Sequence, residues 1–233
     1  MMDRRSLFLR EMGIEQWALR APILHNDATA PMPESSMAST APAAQNNWPQ
    51  LQAQVAACQA CGLCQTRTQT VFGVGTQPAD WVIVGEAPGA EEDASGEPFV
   101  GQAGKLLDNM LASIGLRRGV QVFITNVLKC RPPGNRDPQP EEIQQCRPFL
   151  QHQLLLLQPK IILVAGRVSA QTLLSSEEAI GKLRGRVHHL DLDGRQVPLV
   201  ATYHPAYLLR NPAEKAKVWA DLCLARRVLG MAS

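Results

Sequence analysis

The sequence has no long hydrophobic run. Its longest apolar stretches, such as Leu154–Leu157 and Ile161–Ala165, fall far short of the roughly 20 residues a membrane-spanning helix needs. No membrane protein is expected, and the chain reads as soluble. An excess of one charge is also missing: with a formal net charge of +2, any surface for nucleic acid has to come from local clustering. A secretory leader is absent too, because Leu7-Phe8-Leu9, among Arg4, Arg5, Arg10 and Arg20, is broken by Arg10-Glu11 before an apolar core forms. A cytoplasmic location follows, and disulfides are rare there. Six cysteines, at 58, 61, 64, 130, 146 and 223, therefore point first to metal binding. No internal repeat interrupts this picture.

What is present suffices for one substantial α/β core with extensions, since 45% of the 233 residues are hydrophobic. Residues 22–47 are rich in Ala, Pro, Ser, Asn and Met without periodicity, the composition of a disordered linker. Before it, residues 1–21 scatter Leu7, Met12, Ile14, Trp17 and Leu19 among charges. Such a marginal helix needs a docking surface to persist, and reads as a partner-binding peptide.

From residue 48 to 233, short apolar runs alternate with longer amphipathic ones. Strands are expected at Trp81–Val84, Val122–Thr125, Ile161–Ala165 and Val197–Thr202, and helices at Ala103–Ile114, Glu141–Leu157, Arg167–Leu174 and Glu214–Leu229. This order predicts a three-layer αβα domain around a mainly parallel, four-stranded sheet. Ligands of such sheets bind at the carboxyl ends of the strands. The distinctive residues follow those ends: Gly85-Glu86-Ala87-Pro88-Gly89, then Asn126, Gly166, and His204-Pro205.

Each motif suggests chemistry. The glycines of 85–89 let backbone amides approach a ligand, and Pro88 stiffens the turn. Phe99, in a glycine-flanked loop after Glu91-Glu92-Asp93, suits stacking on a planar base. Asn126 ends an apolar strand, so its amide either bonds backbone or reads a ligand. His204 precedes Leu208-Leu209-Arg210, in which two exposed leucines would form an apolar wedge into DNA while the arginine holds phosphate. Cys58-x-x-Cys61 with Cys130 and Cys146 supplies four thiolates for zinc or an iron–sulfur cluster. Cys64 extends the run to C-x-x-C-x-x-C and rivals Cys58 or Cys61, while Cys223 reads as core.

From about Cys58 to Leu229 the sequence resembles the family 4, iron–sulfur uracil-DNA glycosylases. The resemblance rests on Gly-Glu-Ala-Pro-Gly at 85–89, Pro-Phe-Val-Gly at 98–101, Thr-Asn-Val-Leu-Lys-Cys-Arg-Pro-Pro at 125–133 and His-Pro-Ala-Tyr-Leu-Leu-Arg at 204–210. It implies a glycosylase-like fold, removal of uracil from DNA, and a structural 4Fe–4S cluster on Cys58, Cys61, Cys130 and Cys146. It further implies that Phe99 stacks on the flipped base, Asn126 reads its O4 and N3 edge, and His204 donates toward O2. Glu86, Ala87 and Glu92 become candidates for holding the attacking water; Gly85, Gly89 and Asn135 line the site; Leu208, Leu209 and Arg210 meet DNA. Thymine shares the edge that an asparagine reads, so its exclusion needs packing against C5.

A second resemblance concerns Arg4-Arg5-Ser6-Leu7 and Met12-Gly13-Ile14-Glu15-Gln16-Trp17-Ala18-Leu19-Arg20, which is similar to the start of the psi subunit of bacterial DNA polymerase III. It implies docking on the clamp loader or its chi subunit through Leu7, Ile14, Trp17 and Leu19, with Trp17 as anchor. The linker would then hold the domain near newly made DNA. Two other readings stay open: a replisome subunit using the fold as a non-catalytic scaffold or DNA-binding module, and a zinc-containing DNA-binding protein.

Overall fold

A computed structural model describes residues 47–230. The peptide expected at 1–21, with Leu7, Ile14, Trp17 and Leu19, lies outside the described residues, as does the expected linker except for Asn47. Asn47 already belongs to the domain. Its side chain accepts from the Gln50 backbone N–H at 3.1 Å while the Gln50 side chain accepts from its own, a capping box that starts helix α1 (Trp48–Ala56).

The described strands are β1 (Val74–Gly75), β2 (Trp81–Gly85), β3 (Val122–Asn126), β4 (Ile161–Ala165), β5 (Val187–Leu192) and β6 (Arg195–Thr202). They form one sheet in the order β1-β3-β2-β4-β6-β5. The four expected strands are its parallel centre. The expectation of four strands is nevertheless corrected to a six-stranded mixed sheet, because β1 and β5 add antiparallel edges. The sequence hides β5: His188, His189 and Asp191 interrupt its apolar pattern, and only every second or third residue turns inward. It reaches β6 through Asp193-Gly194, both at positive φ (55° and 81°), as a tight hairpin demands.

Both faces of the central strands are covered. Val82, Val84, Ile162, Val164, Leu199 and Ala201 point to one face and join Leu150, Leu154 and Leu157 of α4 (Pro140–Leu157) and Leu173 of α5 (Arg167–Leu174). The alternating residues Trp81, Ile83, Val122, Ile124, Leu163 and Val200 point to the other, against Leu107, Met110 and Leu111 of α3 (Gln102–Ser113) and Val218 and Leu222 of the last helix. A period of two along each strand thus splits one apolar sequence between two cores. The short helices α2 (Ala90–Ser95), α6 (Ile180–Leu183) and α7 (Pro205–Arg210) complete the order before α8 (Lys215–Val228). The chain leaves β2 toward β3 on one side and β4 toward β6 on the other. This switch point is where a crevice opens in sheets of this kind.

Candidate active site

A cavity of about 450 Å³ lies at that edge, and Glu86, Ala87, Gly89, Phe99, Asn126 and His204 line it. Its size lies within the range of small-molecule sites. β2 brings the Gly85–Gly89 turn, β3 brings Asn126, and the end of β6 brings His204. Gly85 is what lets ring and amide meet: a Cβ there would stand 2.3 Å from Asn126 Oδ1 and 2.5 Å from Phe99 Cζ. Any side chain would force them apart.

Asn126 is 2% exposed. Its carbonyl oxygen accepts from Lys129 Nζ at 2.7 Å, yet among the described residues none hydrogen-bonds its side-chain amide. The amide thus lines the cavity without such a partner, so its donor and acceptor are available to whatever enters. Phe99, 5% exposed, holds a left-handed backbone with φ 57°, a conformation that costs a non-glycine residue about 1–3 kcal/mol. Its ring lies 5.4 Å from that of His204 at 26°, which is itself a contact spacing between rings. No third ring fits between the two, so only the cavity face of Phe99 is open.

His204 caps the N-terminus of α7, where its Nδ1 accepts from the Ala206 backbone N–H at 3.1 Å. The ring proton is thereby assigned to Nε2. Burial, reinforced by the positive charge of Arg210, lowers its pKa to about 4, so the imidazole is a neutral donor at neutral pH.

The acids divide. Glu92 accepts from the Gly89 N–H at 3.1 Å with Oε2 and from the Val100 N–H at 3.2 Å with Oε1. Both oxygens are committed to tying the first loop to the loop of Phe99. The carboxyl of Glu86 is free of such ties, and its pKa is raised by burial first and by the nearby Asp137 second, against the pull of Arg167.

Asn135 stands exposed at the rim with φ 55°, its Oδ1 accepting from Arg131 Nε at 2.7 Å. Arg210 is exposed on the same rim. The expected pair of exposed leucines is corrected: Leu208 is fully buried among Val218 and Leu222, and only Leu209, 47% exposed, reaches solvent. On a short helix, neighbours a hundred degrees apart cannot both face the same way.

Cys58, Cys61, Cys130 and Cys146 line a second, separate cavity with Val55, Phe149 and Leu128; Cys64 lies on the same wall, and Cys223 is elsewhere and half-buried. Two donors point at this sulfur set, Arg67 Nη1 to Cys130 Sγ at 3.1 Å and the Lys129 backbone N–H to Cys146 Sγ at 3.2 Å. Burial raises the Cys130 pKa, and raises that of Cys146 to about 11. A soft cation would be needed to keep these sulfurs as thiolates, and donors to sulfur are what a cluster's surroundings provide. Among the described residues no three His, Cys, Asp or Glu side chains are grouped to hold a single metal ion.

Sequence reasoning missed Lys129, Arg67 and Asp137. Lys129 had a signal, a lysine between Asn126 and Cys130 in an otherwise apolar run; Arg67 and Asp137 had none, because only the fold brings them close.

The αβα domain thus brings a ring, an unpartnered amide and a neutral imidazole onto one cavity at the switch point. The chain belongs to the uracil DNA glycosylase superfamily, which matches residues 72–223, and within it is similar to type-4 members. It is 46% identical over 172 residues to the type-4 uracil-DNA glycosylase of Archaeoglobus fulgidus, covering 72% of this chain and 86% of that one. The type-4 uracil-DNA glycosylase of Thermotoga maritima is 43% identical over 162 residues, 69% of this chain and 82% of the other. A DNA polymerase of Bacillus phage SP01 is 32% identical over 141 residues, 60% of this chain but only 15% of that protein.

Proposed function

We propose that this chain is a uracil-DNA glycosylase, hydrolysing the bond between N1 of uracil and C1′ of its deoxyribose once the base has left the stack. The observation that carries the reading is the Asn126 amide, free of protein partners among the described residues, set beside Phe99 on one cavity. An amide offers a donor and an acceptor together, which match O4 and N3–H of uracil, while Phe99 stacks on its face.

As the glycosidic bond breaks, negative charge gathers on the departing base and positive charge on the sugar. His204, neutral and protonated on Nε2, donates toward O2 and stabilises the anion without adding a proton. Glu86 is the acid placed to orient or deprotonate the attacking water; Ala87 lines the wall beside it. Glu92 is a positioning residue, fixing the two loops. Arg210 and Leu209 meet the DNA around the flipped nucleotide, and Asn135 borders the mouth.

Cys58, Cys61, Cys130 and Cys146 would hold a 4Fe–4S cluster, which when bound supplies structural bracing between the α1 end, the Asn126–Cys130 segment and α4. Four thiolates suit either zinc or an iron–sulfur cluster; the cluster is preferred because the relatives that resemble this chain are type-4 glycosylases.

The test is single-turnover release of uracil from single- and double-stranded oligonucleotides. Asn126→Ala and His204→Ala are each expected to lose about 100- to 1000-fold, the usual effect of deleting one aimed hydrogen bond, with thermal stability and iron content retained. Parental rates in both variants would refute the assignment, and no release by the parent would leave the scaffold reading standing. The placement of the enzyme at the replisome through residues 1–21 rests on sequence resemblance alone. Titration of that peptide with purified clamp loader decides it, and absence of binding removes it.

A further inference from the structure

Phe99 keeps its left-handed backbone although it is not glycine, and two of the groups that hold it there, Arg118 and Gly104, lie outside the cavity. Arg118, on the turn after α3, donates from Nη1 to the Pro98 carbonyl at 2.9 Å and from Nη2 to the Phe99 carbonyl at 2.8 Å. Its Nε donates to Asp108 Oδ1 of α3 at 3.0 Å. The fork therefore spans three acceptors, two of them consecutive carbonyls across the strained residue. A planar guanidinium does this and an ammonium cannot. The first turn of α3 adds a second restraint, since a Cβ on Gly104 would fall 1.7 Å from the Phe99 carbonyl oxygen. Beyond Phe99, the Val100 N–H is tied to Glu92.

We infer that Arg118, braced by Asp108, is a positioning residue for base recognition, setting the plane of the Phe99 ring from behind. The inference rests on the stacking role given to Phe99 above. Arg118 does not line the cavity, so its effect has to pass through the loop of residues 98–100.

The experiment is a double-mutant cycle in the full chain with its cluster, combining Arg118→Gln with Phe99→Ala, alongside amide hydrogen exchange at Val100. Arg118→Gln is expected to slow single-turnover excision about tenfold, in line with losing hydrogen bonds from a charged donor, and to speed Val100 exchange. The rate penalty should vanish in the Phe99→Ala background. Arg118→Lys should recover only part of the rate, and Arg117→Gln, an exposed neighbour, should match the parent. If Arg118→Gln does not fold, Arg118→Lys and Asp108→Asn carry the same cycle. Unchanged Val100 protection, or an equal penalty in both backgrounds, overturns the proposal. If Phe99→Ala alone excises at the parental rate while Val100 exchange still rises, the loop-holding role of Arg118 stands and the stacking role of Phe99 falls.

Discussion

The side-chain nitrogen of Lys129, 1% exposed, lies 2.7 Å from the carbonyl oxygen of Asn126 and 2.6 Å from the Thr125 hydroxyl. Thr125 in turn donates to the Phe72 carbonyl at 2.9 Å, a carbonyl that Gln153 also reaches at 2.9 Å. One buried amine, whose pKa burial lowers to about 7, thus fixes the peptide bearing the Asn126 amide, while the backbone N–H of Lys129 reaches Cys146 Sγ.

Lys129→Met keeps the apolar stem and removes the donor. It leaves the Asn126 carbonyl buried without a partner, a loss of about 1–3 kcal/mol. The expected result is a lower melting temperature together with slower excision, since the peptide carrying Asn126 is released. A variant as stable and as fast as the parent would take Lys129 out of the network.

The cysteines separate by their neighbours. The Cys130 pKa is raised further by Cys61 and Cys58, and that of Cys146 by Cys130 and Cys58, whereas Cys64 enters neither environment. The proposed cluster predicts that serine at 58, 61, 130 or 146 abolishes iron binding and any brown colour of the purified protein. Serine at 64 or 223 should leave iron content and visible absorbance unchanged. Loss of iron on Cys64→Ser would move that thiol into the ligand set.

Central elements were legible in the sequence and edges were not. β2 and β4 are continuous apolar runs because both faces are covered, and such runs stand out. β5 has only one fully buried residue, Leu192, and β1 is two residues long, so neither leaves a periodic trace. The same distinction holds at the site. Asn126 ends a strand and His204 follows one closely, so both could be read from that position, whereas Arg118 meets Phe99 across 19 residues and Arg67 meets Cys130 across 63. Contacts of that span are set by packing. Leu208 looked exposed beside Leu209 because a six-residue helix is too short to show which side faces the core.

Glu86 should give the activity its acid limb. Its pKa lies above the ordinary carboxylate range because of burial and then Asp137, so excision needing the carboxylate falls as pH drops through that raised value. Asp137→Asn removes a negative neighbour and frees Arg167, its partner at 2.6 Å. Both changes favour the ionised form and lower the pKa. The limb in a kcat profile should therefore move to lower pH, and a shift to higher pH would contradict the role. His204 adds no step near its ordinary value, since its pKa is already about 4.

Arg210 is exposed at the cavity rim, and no ion pair to an acid is formed by it among the described residues. With the overall charge near balance, affinity for DNA has to come from such local cations. Each phosphate contact releases counterions and steepens the dependence of binding on salt. Arg210→Ala should therefore weaken binding to all sequences alike and reduce the slope of log affinity against log salt by about one. Arg136, also on the rim, is held in a pair with Glu142 at 2.6 Å, and its replacement by alanine should change the slope less. Equal slopes for the parent and Arg210→Ala would mean that the arginine acts only on His204, whose pKa it lowers, and not on the phosphate backbone.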